Sequence, residues 1–442
     1  MKLNIHVHGK PVATLDSTDG FEHVMTYYPD LQDSDFVSLL MPVRTKSYAY
    51  PELHPIFQMN LPEGFLLSML MEQLGPHVGA SPLNLLSVVG RNMIGRIQLA
   101  APGANLSQPP IPFEVRDVLQ GDNAEEAFVE LVRRFATSGV SGVVPKFLSP
   151  EIKASFNKAS ISTPRYIVKG SSARLPYIAL NEHLSMKVCA RAGFKTAVTE
   201  VSDDGQALLV HRFDVDESGK PTVGMEDLCS LLGLRPAQKY ETTWERVTHR
   251  VKDFVPATRQ AAELEQLAGT LLLSHALGNA DCHSKNIALI YTGFDDVAVS
   301  PIYDMLSIIV YDDYSRNPPG MSLGGRKTWN PGTGLQRFTQ TAMALPAVRH
   351  KQLVERICEA IVETMPEVIV HAKDKPGFYE LGKQILHAWN RGMQSLKADK
   401  TYVVPDLQAS LAAAGMDQPQ VLKAQKPERV GRSDLLGPRG LF

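Results

Sequence analysis

The sequence has few cysteines and no excess of charge of either sign. Its 442 residues include four cysteines, which lie far apart and form no CxxC pair. This spacing argues against a structural zinc site and against a disulfide scaffold, so we expect reduced thiols. The 45 basic and 47 acidic residues give a formal net charge of −2. This balance argues against binding of duplex nucleic acid by the overall field of the protein, although local basic patches are left open.

Long apolar runs, internal repeats and low-complexity tracts are also lacking. The N-terminal segment has no apolar stretch long enough for the core of a signal peptide. The longest mostly apolar segment, residues 267–277, is too short to cross a bilayer. We therefore expect a cytoplasmic protein without a membrane contact. The absence of a repeat period argues against a solenoid.

Strand patterns dominate the first half of the chain and helix patterns the second half. Alternation in residues 3–8, a glycine-proline turn and an apolar segment at 12–15 together predict a β-hairpin. Further strands are predicted at residues 21–29, 96–100, 146–148, 166–168 and 208–210. Helices are predicted at residues 124–136, 178–192, 226–232, 244–254, 261–277, 353–364 and 381–398. This order favours an α+β fold with two lobes.

A stretch rich in proline and glycine, residues 101–113, predicts the first domain boundary. We predict four segments: a β-rich N-terminal subdomain at 1–105, the remainder of an N-terminal lobe at 106–224, a mainly helical catalytic lobe at 225–417, and a flexible tail at 418–442.

The densest cluster of reactive side chains is GNADCHSKN, residues 278–286, directly after a predicted helix. Asp281 and Asn286 are five positions apart, the interval between the base and the metal-binding asparagine in the catalytic loop of protein kinases. In such a loop a carboxylate accepts the proton of the substrate hydroxyl while an amide oxygen holds Mg²⁺. In this chain Lys285 would neutralise charge on the transferring phosphoryl group. A polar turn after a helix is the alternative. A zinc site of Cys282 and His283 is a weaker one, because adjacent ligands without a second pair do not make a tetrahedral site.

A second acidic position, Asp304, ends the apolar segment VSPIYD and lies 18 positions beyond Asn286. A metal-binding aspartate is expected in such a place, and the two residues would then close a hairpin around one cation. The alternative for Asp304 is a helix N-cap.

Three upstream elements suit nucleotide binding. The loop at residues 138–146 contains two glycines, and its backbone amides would cradle phosphates, with Ser141, Gly142, Val143 and Lys146 as candidate residues. Lys169 ends a predicted strand, where it would reach the phosphates, and Glu182 is a candidate ion-pair partner. A helix-to-strand turn and a solvated lysine are the respective alternatives.

The third upstream element is the strand LLVHRFD, residues 208–214, which would form a hinge that holds adenine through His211, Phe213 and Asp214. A strand followed by an exposed turn is the alternative. The chain order of glycine-bearing loop, lysine strand, hinge, catalytic loop and metal aspartate is that of a kinase. We therefore predict a two-lobed, protein-kinase-like fold.

From about residue 3 to residue 400 the chain resembles the HipA-type serine/threonine kinase toxins of bacterial toxin-antitoxin systems. Residues 278–286 are similar to the family's G-[AN]-x-D-x-H-x-K-N, and PIYD at 301–304 is similar to its P-x-Y-D. Further matches are LLS with GR and Gly95 in residues 85–95, RFD at 212–214, and EDLC at 226–229.

The resemblance implies ATP and Mg²⁺ as cofactors and assigns roles to individual residues. It implies that Asp281 is the catalytic base, that Asn286 and Asp304 bind Mg²⁺, and that Lys169 contacts the phosphates of ATP. It places adenine near residues 211–214, and it gives His283 and Lys285 a supporting role at the phosphate site.

Two departures from the family pattern affect these expectations. Members whose hinge reads Glu-Arg-Phe carry a glutamate where this chain has His211, which weakens the expectation of side-chain recognition of adenine. The serine that many members autophosphorylate aligns with Gly139. Ser141 therefore becomes the expected phosphorylation site, with Ser138 next, and the added charge should expel the loop or the ATP.

The resemblance implies a growth-inhibiting toxin whose protein substrate is an aminoacyl-tRNA synthetase. It also implies a small helix-turn-helix antitoxin of the HipB type as partner, with operator DNA reached mainly through that partner. Two other functions stay open: a small-molecule or lipid kinase with the same ATP site, and a non-catalytic regulatory component. A phosphorylated metabolite without protein phosphorylation would favour the first, and a failure to bind nucleotide would favour the second.

Overall fold

The structure is a computed structural model that describes residues 1–18, 22–61, 67–72, 81–106, 114–138 and 159–417. The strand predicted at 146–148 and the tail predicted at 418–442 lie outside the described residues. So do Ser141, Gly142, Val143 and Lys146 of the proposed phosphate loop. None of the helices in the described ranges has the length and apolar character that crossing a bilayer requires.

The first sheet has five antiparallel strands in the order β4-β3-β2-β1-β5. Its strands are β1 Lys2–Val7, β2 Lys10–Ser17, β3 His23–Tyr27, β4 Tyr48–Tyr50 and β5 Ile97–Ala100. The predicted hairpin is confirmed, because β1 pairs with β2 through a turn in which Gly9 has a φ of +77°. Alternate residues of β1, Leu3, Ile5 and Val7, are buried in the core beneath this sheet. Two short helices, α1 Pro55–Gln58 and α2 Pro82–Val89, pack on this core.

A second sheet carries the lysine strand. It has four strands in the order β6-β7-β9-β8, which are β6 Ala159–Ser162, β7 Tyr166–Gly170, β8 Thr199–Val201 and β9 Ala207–His211. Two helices, α3 Val115–Gln120 and α4 Glu125–Ser138, precede it, and α5 Ile178–Arg191 follows β7. The strands predicted at 166–168 and 208–210 are confirmed as the two central strands of this sheet.

The remainder of the described chain is mainly helical. Its helices are α6 Leu228–Leu231, α7 Trp244–Phe254, α8 Gln260–Ala276, α9 Thr333–Ala342, α10 Ala347–Asp374, α11 Tyr379–Ser395 and α12 Gln408–Ala413. The largest buried cluster of the structure includes apolar residues from most of these helices and from α5. The helix predicted at residues 244–254 is confirmed at both ends as α7, and Thr243 caps its N-terminus by accepting from the Arg246 amide.

The helix predicted at residues 226–232 is wrong at its start. Glu226 and Asp227 end a strand, β10 Gly224–Asp227, which pairs with β11 Ala288–Tyr291, and β12 Ala298–Val299 completes a three-stranded sheet. Asp227 then caps the four-residue helix α6. Sequence patterns did not predict this sheet, because its strands are two to four residues long and β10 pairs with β11 across more than sixty positions.

Buried polar contacts hold the N-terminal sheet against the helical region. The Glu226 carboxylate accepts hydrogen bonds from Ser38 Oγ at 2.6 Å, from the Leu39 amide at 2.7 Å and from Tyr291 Oη at 2.6 Å. Burial raises the pKa of Glu226. The Arg96 guanidinium donates to the carbonyl oxygens of Phe36 and Thr292. These contacts fix the position of the N-terminal subdomain beside the cleft described next.

Candidate active site

The catalytic-loop candidate follows helix α8 at a tight turn. Gly278 has a φ of +71°, and a side chain at this position would lie 2.5 Å from Ile309, so glycine is required. A short 3-10 helix, Ser284–Asn286, ends the loop and leads into β11. The loop is thus held between a buried helix and a sheet strand.

Asp304 meets the catalytic loop through Asn286. Asn286 Nδ2 donates to Asp304 Oδ2 at 2.6 Å, and Asn286 Oδ1 accepts from the His283 amide at 3.0 Å. Strands β11 and β12 lie between these two residues and form the expected hairpin. No helix begins at Asp304, so the helix N-cap interpretation is wrong. Instead Asp304 has a φ of +56°, a left-handed conformation that is sparsely populated outside glycine and is often retained at functional sites.

Lys169 connects Asp304 to the second sheet. Its Nζ lies 2.7 Å from Asp304 Oδ1 and 2.5 Å from Glu182 Oε1. The three side chains are largely buried, with 13% of Lys169, 2% of Glu182 and 17% of Asp304 exposed. The expected pairing of Lys169 with Glu182 is therefore present, and the interpretation of Lys169 as a solvated lysine is wrong. One ammonium group is shared by two carboxylates from different parts of the chain.

Asn279 is a connecting residue that sequence reasoning did not single out. Its Oδ1 accepts from the Asp281 amide at 3.2 Å, and its Nδ2 donates to the Asp304 carbonyl oxygen at 3.4 Å. Asn279 is buried and thereby joins the backbone at Asp281 to the backbone at Asp304. A buried amide inside the polar run at 278–286 is the signal that could have indicated this role.

Tyr240 contacts the candidate base itself. Its hydroxyl donates to Asp281 Oδ1 at 2.5 Å, and its ring lies edge-on to His283 with centroids 4.9 Å apart. Burial, followed by the charge of Asp281, raises the pKa of Tyr240. No motif includes Tyr240, and 41 positions separate it from Asp281, so sequence reasoning had no signal for this contact.

A cavity of about 170 Å³ opens between the sheets and the catalytic loop. Its apolar lining comes from both lobes and from the N-terminal subdomain, and Lys169 and Lys285 lie at its polar side. The apolar lining residues are Met59, Ile94, Ile167, Val210, Phe213, Met225 and Tyr303. The rings of Phe213 and Tyr303 have centroids 6.1 Å apart. Asp214, which pairs with Arg212, and Asp227 also line the cavity. An apolar slot with aromatic rings and two lysines in its lining suits a flat base attached to an anionic group.

The three hinge candidates, His211, Phe213 and Asp214, line this cavity. The His211 imidazole pairs with Glu200 at 2.5 Å. The Asp214 carboxylate is buried, pairs with Arg212 at 2.5 Å and accepts from the Gly95 amide at 2.7 Å. The exposed-turn interpretation is wrong, because Asp214 is part of this buried network. Phe213 presents apolar surface to the cavity, whereas the polar atoms of the other two candidates contact protein groups.

His283 and Lys285 lie in the catalytic loop next to Asn286, which contacts Asp304. His283 lies against Tyr240, and Lys285 lines the cavity while its carbonyl oxygen accepts from Tyr303 Oη at 2.7 Å. Burial raises the pKa of Cys282 to about 12. In the described part of the chain, no group of three or more His, Cys, Asp or Glu side chains that could hold a metal includes Cys282 and His283, which does not favour a zinc site. Ser138 ends helix α4, and the four loop residues that follow it as candidates remain predictions.

The oxygen ligands at the junction fit Mg²⁺. Nowhere in the described ranges do three His, Cys, Asp or Glu side chains form a group that could hold a metal. Asp304 and Asn286 nevertheless meet directly, and Mg²⁺ is commonly held by one or two protein oxygens together with substrate phosphates. The side-chain oxygen of Asn286, Oδ1, accepts a hydrogen bond from the His283 amide and has a second lone pair. The junction therefore suits a metal that arrives with a nucleotide.

Comparisons with known proteins match most of the chain. Residues 138–369 match the HipA-like C-terminal domain, and residues 3–100 match the HipA N-terminal domain. Two relatives from Sinorhizobium fredii carry the names "Putative kinase Y4mE" and "Putative kinase Y4dM". The first is 27% identical over 361 residues, which cover 75% of this chain and 83% of the relative. The second is 28% identical over 342 residues, which cover 70% and 78%.

A solved structure shares the fold. It is the complex of HipA, HipB and operator DNA of a toxin-antitoxin system from Shewanella oneidensis MR-1. The match has a TM-score of 0.62 at 19% identity and covers 90% of this chain and 100% of the other. The predicted α+β fold, with a β-rich N-terminal region and a helical C-terminal region, is thereby confirmed.

Proposed function

Because this chain belongs to the HipA family, we propose that it is an ATP- and Mg²⁺-dependent protein kinase that phosphorylates a serine or threonine hydroxyl. The observation that carries the proposal is the junction of Lys169, Asn286 and Asp304 beside the apolar cavity. These side chains come from a sheet strand, a short helix and a left-handed turn. Three separate elements that place a cation and two oxygen ligands at the polar side of a cavity favour phosphoryl transfer.

Each residue has a role in that reaction. Asp281 accepts the proton of the acceptor hydroxyl as its oxygen bonds to the γ-phosphorus and the bond to the β,γ-bridging oxygen breaks. Lys169 donates to phosphate oxygens, and Asn286 and Asp304 hold the metal. ATP would supply the phosphoryl group, and the Mg²⁺ bound with it would neutralise the negative charge that develops on that group. His283 and Lys285 have a supporting role at the phosphates of ATP, while the rings of Phe213 and Tyr303 cover its adenine.

The test uses isosteric variants of the two aspartates. Asp281→Asn and Asp304→Asn should each lower transfer from radiolabelled Mg·ATP to dephosphorylated casein by about 100-fold or more. The matched control is Asp312→Asn, because Asp312 is exposed. Asp304→Asn should also weaken the Mg²⁺ dependence of nucleotide binding, measured with a fluorescent ATP analogue. Wild-type rates in either aspartate variant would refute the assigned roles.

Phosphorylation of the chain by itself is part of the proposal. Ser141, and next Ser138, belong to the predicted phosphate loop, where an added charge of about −2 would repel the phosphates of ATP. Intact-mass analysis after incubation with Mg·ATP should show one added phosphate, and Ser141→Ala with Ser138→Ala should remove it. An unmodified wild-type chain, or undiminished phosphate on the double variant, would contradict this.

The proposed biological role is that of the toxin in a HipA/HipB-type pair. The structural neighbour from Shewanella oneidensis was solved with HipB and operator DNA, which supports a HipB-like helix-turn-helix antitoxin as partner. The net charge of −2 is consistent with DNA being reached mainly through that partner. An aminoacyl-tRNA synthetase is the proposed substrate. Expression should arrest growth, co-expression of a neighbouring helix-turn-helix protein should restore it, and Asp304→Asn should be harmless.

A further inference from the structure

Tyr240 lies outside every motif of the site, yet its hydroxyl donates to Asp281 Oδ1 at 2.5 Å. It lies in the segment between the 3-10 helix Pro236–Gln238 and helix α7, a part of the chain to which no role has been assigned. The phenol is always protonated near neutral pH, because burial and the adjacent carboxylate raise its pKa. The hydrogen bond therefore has one direction, with the phenol as donor and the carboxylate as acceptor.

The segment around Tyr240 is held in place from two sides. On one side, the carbonyl oxygen of Lys239 accepts from the Ser284 amide at 3.2 Å and from Ser284 Oγ at 2.9 Å. Ser284 belongs to the catalytic loop, so these bonds tie the Tyr240 backbone to the loop that carries Asp281. The position of the phenol relative to Asp281 is therefore set by backbone contacts and not only by its own side-chain torsions.

On the other side, Lys327 contacts Tyr240 from the segment that follows Asp304. Lys327 Nζ donates to the Tyr240 carbonyl oxygen at 3.3 Å and to the Gly320 carbonyl oxygen at 2.8 Å. The ammonium groups of Lys239 and Lys327 lie 5.5 and 5.9 Å from the centre of the Tyr240 ring. The ring thus lies near two cations and against His283, which restricts its rotation.

A general base must be held accurately to be effective. An aspartate has two side-chain torsions, and misplacement of a reacting group by about 1 Å can lower a rate by about 100-fold. A hydrogen bond to a charged acceptor is stronger than one between neutral groups, and a carboxylate accepts several hydrogen bonds on its two oxygens. A fixed phenol can therefore hold the carboxylate while the same group accepts the proton of a substrate hydroxyl.

We propose that Tyr240 is a positioning residue for phosphoryl transfer, whose hydroxyl holds Asp281 in the orientation that accepts the proton of the substrate hydroxyl. This role rests on the proposed kinase function. Tyr240 does not line the nucleotide cavity, so its loss should slow the chemical step and leave nucleotide affinity unchanged.

The test compares Tyr240→Phe with Tyr379→Phe in the full chain. Both substitutions remove one phenolic hydrogen bond, since Tyr379 Oη donates to the Gly415 carbonyl oxygen at 2.8 Å in a region remote from the cleft. With Mg·ATP and dephosphorylated casein, Tyr240→Phe should lower kcat by about 10- to 100-fold, and its dissociation constant for a fluorescent ATP analogue should stay within about twofold. Tyr379→Phe should change neither quantity. Thermal melting should show that both variants stay folded at the assay temperature, with the larger shift for Tyr240→Phe, because its hydroxyl donates to a charged acceptor whereas that of Tyr379 donates to a carbonyl oxygen.

A double substitution identifies the residue through which Tyr240 acts. In the Asp281→Asn background, Tyr240→Phe should change the residual rate by less than about twofold, because the group that it orients no longer serves as base. An equal loss in both backgrounds would overturn the proposal. An unchanged transfer rate in the single variant Tyr240→Phe would also overturn it. So would a raised rate, which would show that the contact inhibits transfer. A wild-type chain that neither binds nucleotide nor transfers phosphate would refute the proposed function and this role together.

Discussion

The shared lysine of the site allows one prediction to be developed in depth. In Lys169→Met, a side chain of similar length loses the ammonium group that contacts Glu182 at 2.5 Å and Asp304 at 2.7 Å. Glu182 is 2% exposed and Asp304 is 17% exposed, so neither carboxylate gains full access to water when this cation is removed. Both a stability loss and a loss of nucleotide binding are expected.

The size of the stability loss follows from burial. Removal of one partner from a buried ion pair costs about 3–5 kcal/mol, whereas an exposed pair contributes about 0–1 kcal/mol. Lys169 is itself 13% exposed, and Asp304 keeps its hydrogen bond from Asn286, so we expect about 3 kcal/mol, the lower end of the buried range. The double variant Lys169→Met with Glu182→Gln should recover part of that loss, because it removes one of the two charges that the lysine balanced.

Arg174→Met is the matched control for this experiment. Arg174 pairs with Asp313 at 3.0 Å, but the two side chains are 58% and 60% exposed. Its loss should cost less than about 1 kcal/mol. Urea unfolding at pH 7.5 measures the free energies, and a fluorescent ATP analogue measures affinity. If Lys169→Met costs no more than Arg174→Met, or if the double variant is less stable than Lys169→Met, the argument from burial is refuted.

Two further predictions concern acid stability and backbone packing. Burial lowers the pKa of His54 to about 4, whereas the unfolded-state value is about 6.5. The unfolded chain therefore binds a proton first as the pH falls, so the contribution of neutral His54 to the free energy of unfolding is complete above about pH 6.5 and is lost as the pH falls toward 4. At pH 5 the free energy of unfolding should be lower by about 2 kcal/mol. His54→Asn keeps an acceptor for the Ile56 amide and should remove that part of the pH dependence of urea unfolding. Separately, a Cβ at Gly320 would lie 2.4 Å from the Cys282 carbonyl oxygen, whereas one at Gly293 would meet nothing within 4 Å. Gly320→Ala should therefore displace the catalytic loop and lower transfer by about 10-fold while Gly293→Ala does not, and equal rates would show that the loop tolerates the shift.

Local sequence patterns were sufficient for elements with strong periodicity or clear caps. Helix α7 was predicted at both ends from its helical pattern alone, and the structure adds that Thr243 caps it. The pairing of Lys169 with Glu182 was also anticipated, because the strand and the following helix are close in the chain. By contrast, the prediction of a helix at Glu226 was wrong, since the strand that includes this residue exists only through pairing with β11.

The candidate site was predicted as a set of residue types but not as a set of contacts. The spacing of Asp281, Asn286 and Asp304 indicated phosphoryl transfer, and the structure places Asn286 in direct contact with Asp304. The contact from Tyr240 to Asp281 and the hydrogen bond from Asn279 to the backbone of Asp304 could not be predicted, because these partners are distant in the chain and have no shared period. The role of each residue stays a prediction until the variants are measured.

Composition, motif order and local periodicity were enough to predict the fold class, the resemblance to the HipA family and most of the longer helices, because these depend on side-chain types and on neighbours a few positions apart. The folded chain alone shows that one lysine is shared by two carboxylates, that Asp304 lies in a left-handed turn, and that a tyrosine 41 positions upstream donates a hydrogen bond to Asp281. Such contacts arise when separate strands and loops pack around a common core, and the free energy of that packing depends on the whole chain.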